Sequence, residues 1–498
     1  MFDKIKRLGT ETAIYGLGTI VGRFLNFLLV PFYTNVLPPS EYGTVTYIFS
    51  LIAFANVIYG YGMESAFFKY SSTKEIGTPE QNFSTPFISL FLTSAVLSFA
   101  FVLAGPYVCD LISLPRSYDA VMDYAAWILF FDALAIIPFA SLRLENKAKH
   151  FAALKFTNIV INVASNLVLL LVFRTGVEGI FLSGLLASAA TFFFLVPTIL
   201  RRSSGNFSSE LYRELLRFGL PYVPAGLATM VIQVVDRPIL RMLTHDAAVG
   251  IYQANYRLGI FMMLVVQMCD YAWRPFFLTH AKDSNAKEMF ARILTYFVLL
   301  MSLVFLLLTF FIPDLVHLSI FGRYVIHPAY WSALGIVPIV LLGYMFLGVS
   351  NTMVAGIYIE KKTRYLPPIT FVCAAANIIG NFLLIPHIGL YGAAWATVLS
   401  YLVMAVLMFV TVQRAYPIRY EWIRLGKMAF ASLAVVGLYL LVPVREWGLV
   451  WKLALLLLFC AAMYFMKFFE ASEFALLKGI FTRSRGHVEI GSEPAMPL

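Results

Sequence analysis

The side chains best placed to do chemistry in this sequence are ionisable and amide groups inside long apolar stretches. Each costs a few kcal/mol near the centre of a bilayer, so each needs a reason to be there. Arg23 lies mid-way along the first such stretch, with Asn26 near its face. Gln233 precedes Asp236-Arg237 in the seventh, and Gln253, Asn255 and Arg257 fall in the eighth. Glu64 ends the second, and Asp132 sits within the fourth. A guanidinium keeps its charge and donates two parallel hydrogen bonds, which suits a phosphate or diphosphate. Arg23, Arg237, Arg257, Asn26 and Gln233 are therefore the candidate substrate-binding residues of a water-filled central cavity. Asp236, Asp132 and Glu64 are the candidates for coupling to protons or sodium. Each has a structural alternative: Asp236 can pair with Arg237 or Arg257, and Arg23 can snorkel to a membrane surface. A protonated Asp132 can serve inside a bundle, and Glu64 can reach the interface.

Other chemistries lack their residues. No Gly-x-x-x-x-Gly-Lys-Ser/Thr run is present, so no P-loop ATPase is encoded, and no His-Glu-x-x-His or other metal signature occurs. Neither a catalytic role nor a cofactor nor a metal is expected. Cys109, Cys269, Cys373 and Cys460 share no ligand spacing and read as buried thiols or packing residues. A net charge of +10 would suggest nucleic acid on a soluble protein. Here the basic residues lie between apolar blocks, so they read as membrane topology and no nucleic-acid partner is expected. The Asn158, Asn162, Asn166 stripe has helical spacing and reads as helix–helix hydrogen bonding.

The elements that must position these groups follow from composition. Of 498 residues 60% are hydrophobic and 13% charged, far from a soluble domain. The apolar blocks are long and continuous, which favours helices over barrel strands. The expected fold is all-α and integral to the membrane, with about fourteen spans near 12–36, 42–65, 85–106, 120–142, 152–173, 179–200, 216–240, 247–270, 288–312, 331–357, 366–386, 391–413, 425–443 and 449–468. The stretch from Ile14 to Val36 is too long for a signal-peptide core and reads as the first span. Twenty-eight Lys and Arg fall on the side of the N-terminus and six on the other, which puts both termini in the cytoplasm. Residues 207–218 alternate apolar and charged faces, as an interfacial helix would.

Two halves repeat. Glu145, Lys147, Asn162 and Asn166 recur as Glu360, Lys362, Asn377 and Asn381, all at an offset of 215. Glu41-Tyr42-Gly43 parallels Ala248-Val249-Gly250 at an offset of 207. The expected organisation is an N-terminal six-helix lobe over 1–200, a cytoplasmic interfacial linker over 201–217 and a pseudo-symmetric C-terminal lobe over 218–413. Two further spans follow over 414–470, then a cytoplasmic tail over 471–498. Paired halves around a cavity are a common transporter plan.

Certain segments resemble the Wzx-type polysaccharide flippases of the multidrug/oligosaccharidyl-lipid/polysaccharide exporter superfamily. These are Leu37-Pro38-Pro39-Ser40-Glu41-Tyr42-Gly43, Asp236-Arg237 followed by Val249-Gly250-Ile251-Tyr252, and Asn377-x-x-x-Asn381-Phe-Leu-Leu-Ile-Pro386 followed by Gly389-Leu-Tyr-Gly-Ala-Ala-Trp-Ala-Thr397. The resemblance covers roughly residues 5–470. It implies an exporter that moves an undecaprenyl-diphosphate-linked oligosaccharide across the bacterial cytoplasmic membrane by alternating access, for surface polysaccharide synthesis. Its partners would be that lipid-linked substrate, membrane lipids and other polysaccharide assembly proteins. The family's cavity arginines correspond to Arg23 and Arg257. The second span departs from the lipid II flippase pattern in holding no Arg, which leaves the sugar cargo open. The alternatives are a cation/drug antiporter of the same fold, which would favour carboxylates over arginines, and a membrane subunit of a polysaccharide synthesis or secretion complex.

Overall fold

The structure is a computed structural model that describes residues 22, 25, 27–203, 205–320, 322–442 and 448–470. Long apolar segments close their backbone hydrogen bonds internally, which is the physical reason they are helices. In chain order the first are α1 (Phe27–Val36), α2 (Pro39–Gly60), α3 (Met63–Thr73), α4 (Pro79–Leu103), α5 (Gly105–Leu111), α6 (Asp119–Leu144), α7 (Ala148–Leu167) and α8 (Gly176–Arg202). Then come α9 (Ser209–Gly219), α10 (Tyr222–Val234), α11 (Asp236–Leu243), α12 (Asp246–Arg257), α13 (Ile260–His280) and α14 (Ala286–His317). A two-residue hairpin pairs Ser319–Ile320 with Arg323–Tyr324. The chain continues through α15 (Ile336–Met353), α16 (Ala355–Ile359), α17 (Leu366–Ile388), α18 (Leu390–Ala415), α19 (Trp422–Leu441) and α20 (Gly448–Phe465).

Among the described residues eleven helical segments are long and apolar enough to cross a membrane. Two bent pairs, α9 with α10 at 41° and α12 with α13 at 47°, bring the number to thirteen if each pair is one span. Helix α1 is the described part of the expected first span; Arg23 and Asn26, expected on that span, lie outside the described residues. Outward faces are apolar where lipid would meet them, as at Leu92, Val96 and Phe99 of α4 and Phe193 and Leu200 of α8.

Local sequence sets the helix ends. Pro79 occupies the first turn of α4, and Thr78 and Gln81 cap it reciprocally: Gln81 N donates to Thr78 Oγ1 at 3.3 Å and Thr78 N donates to Gln81 Oε1 at 3.0 Å. Helix α9 starts under the Ser208 hydroxyl, which accepts from Leu211 N. It buries Leu211 and Leu215 in an apolar cluster with Met63 and Phe67 of α3, Leu90 of α4 and Leu142 of α6.

The described helices form two compact units. One holds α1 to α13 and α15 to α18; the other holds α19, α20 and residues 287–311 of α14. The core of the smaller unit is Leu306 and Phe310 against Met428, Val435, Leu455 and Phe459. Every expected site residue that is described lies in the larger unit. There α2 meets α12 near its first residues, and the Tyr61-Gly62 turn that follows α2 meets Gly219 of α9; these ends are called the corner end and the linker end below.

Candidate functional site

Helices α10 and α11 meet at Val235, and the break places Asp236 and Arg237 at the first turn of α11, where a carboxylate complements the helix dipole. Both side chains are buried. Arg237 Nη1 donates to Asp236 Oδ1 at 2.6 Å and to the backbone carbonyl of Gln233, while Nε donates to Gln253 Oε1 at 3.2 Å. Tyr252 completes the set by donating to Asp236 Oδ2 at 2.6 Å. The guanidinium lies 4.4 Å from the centroid of the Tyr256 ring, which in turn packs edge-on against Tyr344. Removing two charges from water is tolerable only when each finds such partners. This ion pair is closed on itself. Gln233, an expected contact residue, contributes its carbonyl rather than its exposed amide.

Arg257 is placed differently. It ends α12 at the 47° break before α13 and is exposed. Among the described residues it makes no ion pair or hydrogen bond, and its charge acts on the hydroxyls of Tyr33 in α1 and Tyr42 in α2. Broken helices at membrane depth persist where they line a cavity. The structure thus separates two arginines that the sequence grouped: Arg237 is committed inside the protein and Arg257 is accessible.

The expected ion-coupling residues are apart from each other. Asp132 of α6 accepts from Ser188 Oγ of α8 at 2.8 Å, and Lys155 of α7 lies within electrostatic reach of it. Lys155 rests on the Phe139 ring at 4.3 Å and is otherwise exposed. Near the start of the expected 152–173 span it reads from sequence as a topology charge, and its spacing of three from Asn158 is the available signal. Glu64 of α3 forms an ion pair with Arg143 at the end of α6. Among the described residues no cluster of metal-ligating side chains occurs.

The Asn stripes bond within and between helices. Asn166 Nδ2 donates to the Asn162 carbonyl at 2.8 Å, and Asn381 Nδ2 donates to the Asn377 carbonyl at 2.9 Å. Asn158 Nδ2 reaches across to Thr191 of α8 at 2.8 Å.

At the corner end, α2 and α12 cross at glycines. A Cβ on Gly43 would collide with the carbonyl of Asp246, and one on Gly250 with the carbonyl of Pro39. Arg241 of α11 adds a second tie. Its Nη1 and Nη2 donate to the carbonyls of Ile112 and Ser113 after α5 at 2.6 and 2.9 Å, and its Nε donates to Asp246 Oδ1 at 2.6 Å. Tyr330 OH donates to the Leu37 carbonyl at 2.9 Å, and Asn35 Nδ2 to the Tyr324 carbonyl at 2.8 Å. In the sequence Arg241 falls between the expected 216–240 and 247–270 spans and reads only as an outer-loop charge.

These features sit on a chain whose residues 8–279 match the model of a family described as polysaccharide biosynthesis protein. The chain belongs to that family. The matched segment includes Asp236, Arg237, Arg241 and Arg257 and both glycines of the corner-end crossing. A curated relative, Lsg locus putative protein 1 of Haemophilus influenzae, is 20% identical over 397 residues, covering 76% of this chain and 96% of the relative. The fold is similar to that of the lipid II flippase MurJ in an inward closed conformation, with TM-score 0.73, 15% identity and coverage of 91% of this chain and 99% of that one. It is also similar to a multidrug resistance MATE family transporter of the MOP superfamily in an inward-facing conformation, with TM-score 0.62, 14% identity and coverage of 79% and 94%. The chain is a multi-pass membrane protein of the polysaccharide biosynthesis family, with a fold of flippases and transporters rather than of enzymes.

Proposed function

We propose that the chain translocates an undecaprenyl-diphosphate-linked oligosaccharide across the bacterial cytoplasmic membrane for surface polysaccharide synthesis. The observation that carries this reading is Arg257: an exposed guanidinium without an ion pair among the described residues, at a helix break, within the family-matched segment of a flippase fold. A permanently charged planar fork is suited to hold a diphosphate while the sugar and lipid remain variable. Arg23, with Asn26 beside it in sequence, is the second arginine of this site. Asp236 and Arg237 form a buried pair tied to the Gln233 carbonyl, and Asp132 and Glu64 remain the candidates for ion coupling.

The same reading takes residues 1–200 and 218–413 as two lobes that rock about the 201–217 linker, with 414–470 outside them and 471–498 as a tail. The excess of basic residues puts both termini and the linker end in the cytoplasm. The corner end then faces outward, and its glycine crossing and the Arg241 bridge are the outer seal of alternating access.

Deleting the gene and quantifying surface polysaccharide and membrane lipid-linked oligosaccharide tests the proposal. Lost surface glycan with a build-up of the lipid-linked unit is the expected result. Unchanged glycan with greater sensitivity to cationic dyes would replace it with the antiporter reading, and lost glycan with no lipid-linked unit would replace it with a role in synthesis.

A further inference from the structure

A cavity of about 610 Å³ opens at the corner end, in the size range of small-molecule sites. Tyr47, Ser113, Arg241, His245, Asp246 and Phe382 are among its lining residues. Its electrostatics argue against a phosphate. The Arg241 guanidinium is already bonded to two carbonyls and to Asp246, and its face covers the Tyr47 ring at 4.2 Å. Its charge is matched by the Asp246 carboxylate, so this pair brings no net charge to the cavity.

What remains is a set of hydrogen-bonding positions that together carry no net charge. Asp246 Oδ2 accepts no hydrogen bond among the described residues, since only Oδ1 meets Arg241. His245 Nδ1 accepts from Ala248 N at 3.1 Å, which leaves Nε2 as the ring's donor. Ser113 supplies an exposed hydroxyl beside them. Phe382 offers a half-exposed ring. An acceptor, a donor and a hydroxyl around an aromatic face match a ligand with several hydroxyls and a C–H face.

We infer that this cavity is a binding site for a neutral saccharide unit, the sugar portion of the cargo at the outer face. The inference rests on the proposed function for the source of the sugar and for the orientation. It assigns sugar selection to the corner end, apart from the diphosphate site at Arg257. Because Arg241 and Asp246 both line the cavity and tie α11 and α12 to the end of α5, a sugar seated there touches the outer seal.

The test uses the full-length protein in nanodiscs. The probe is the oligosaccharide released by mild acid from the producing cell's own lipid-linked pool, with binding read by saturation-transfer NMR and calorimetry. His245→Ala and Phe382→Ala should each weaken binding at least tenfold, Phe382→Ala with the melting temperature unchanged and His245→Ala with only the modest drop that loss of the α12 N-cap brings, and excess inorganic pyrophosphate should not displace the sugar. Failure of the wild type to bind, equal binding by both variants, or displacement by pyrophosphate would overturn the inference. The deletion experiment judges the proposed function separately. Export that stops on deletion but proceeds normally with both variants removes only the saccharide site, whereas export that survives deletion removes the proposed function itself.

Discussion

Gly43 of α2 and Gly250 of α12 lie against each other at positions related by the sequence repeat. The offset of 207 that relates them also relates Pro39 to Asp246, and the contacts are reciprocal. A Cβ on Gly43 would strike the Asp246 carbonyl, and one on Gly250 would strike the Pro39 carbonyl. Such reciprocity is the signature of a two-fold axis passing between the helices. Any side chain here must push two backbones apart. Gly43→Ala and Gly250→Ala should each destabilise by about 1–3 kcal/mol through overpacking. Their combination should cost less than the sum, because one displacement of the crossing relieves both. Thermal melting of the detergent-solubilised single and double variants checks this; full additivity would contradict the shared crossing.

The Asp236–Arg237 pair should behave as one buried unit. Asp236→Asn strands a guanidinium inside the protein and should cost about 3–5 kcal/mol. The double variant Asp236→Asn with Arg237→Gln should be more stable than the Asp236→Asn single, and a double-mutant cycle on melting temperature measures the coupling. Equal stability of the single and double variants would place the pair in water rather than in the core.

Glu145, at the end of α6, gives a pH signature. Burial works against its ionisation, but the Lys147 ammonium at 2.7 Å, the Ser141 hydroxyl at 3.0 Å and Arg202 outweigh it and hold the carboxyl below its ordinary value. A depressed carboxyl contributes stability at pH values above its unfolded pKa and loses it as pH falls through the folded pKa. Glu145→Gln should therefore lower the melting temperature at neutral pH by an amount equivalent to about 1 kcal/mol or less. The gap between variant and wild type should stay constant down to about pH 5 and close below it.

Cys109, a buried residue of α5, should be inert. Burial raises its thiol first, and a hydrogen bond to Asp119 adds to this, pushing it up to about 11. At neutral pH it holds almost no thiolate, so maleimide should label it only after unfolding. Labelling of the native protein at Cys109 would show that the α5 end opens spontaneously.

The helical membrane fold was legible because twenty-residue apolar blocks leave the backbone no other solution. The Asp236–Arg237 pairing was legible because the residues are neighbours, yet its closure by Tyr252 and Gln253 was not, since those lie sixteen positions on and read only as polar residues of another span. The mutual contact of Gly43 and Gly250 was hidden for a different reason: a repeat shows which positions correspond, not which touch. Arg241 reads from sequence as one of the six outer-side charges, because topology counting registers sign and side alone. Its hydrogen bonds to carbonyls 128 and 129 residues away carry no sequence signal. Arg257 and Arg237 look alike in sequence, each beside a helix break, and only burial and the bonds to Asp236, Gln233 and Gln253 distinguish the committed one from the accessible one.

Export should separate these two arginines. Arg257→Ala should abolish export at normal membrane abundance, and Arg257→Lys should restore only part of it, because a point charge lacks the planar fork. Arg237→Ala should instead lower abundance by leaving Asp236 unpaired. Quantitative immunoblots alongside surface-glycan assays distinguish the two; normal export by Arg257→Ala would remove it from the binding site.

The most direct measurement is translocation by the purified protein in proteoliposomes. Lipid-linked oligosaccharide from the producing cell is placed in both leaflets, and its sugar is exposed to a membrane-impermeant glycosidase or oxidant added outside. The account predicts that vesicles with wild-type protein expose nearly all of the sugar, while protein-free vesicles and those with Arg257→Ala stop near half. Wild-type vesicles that also stop near half, under imposed proton and sodium gradients of either direction, would contradict it.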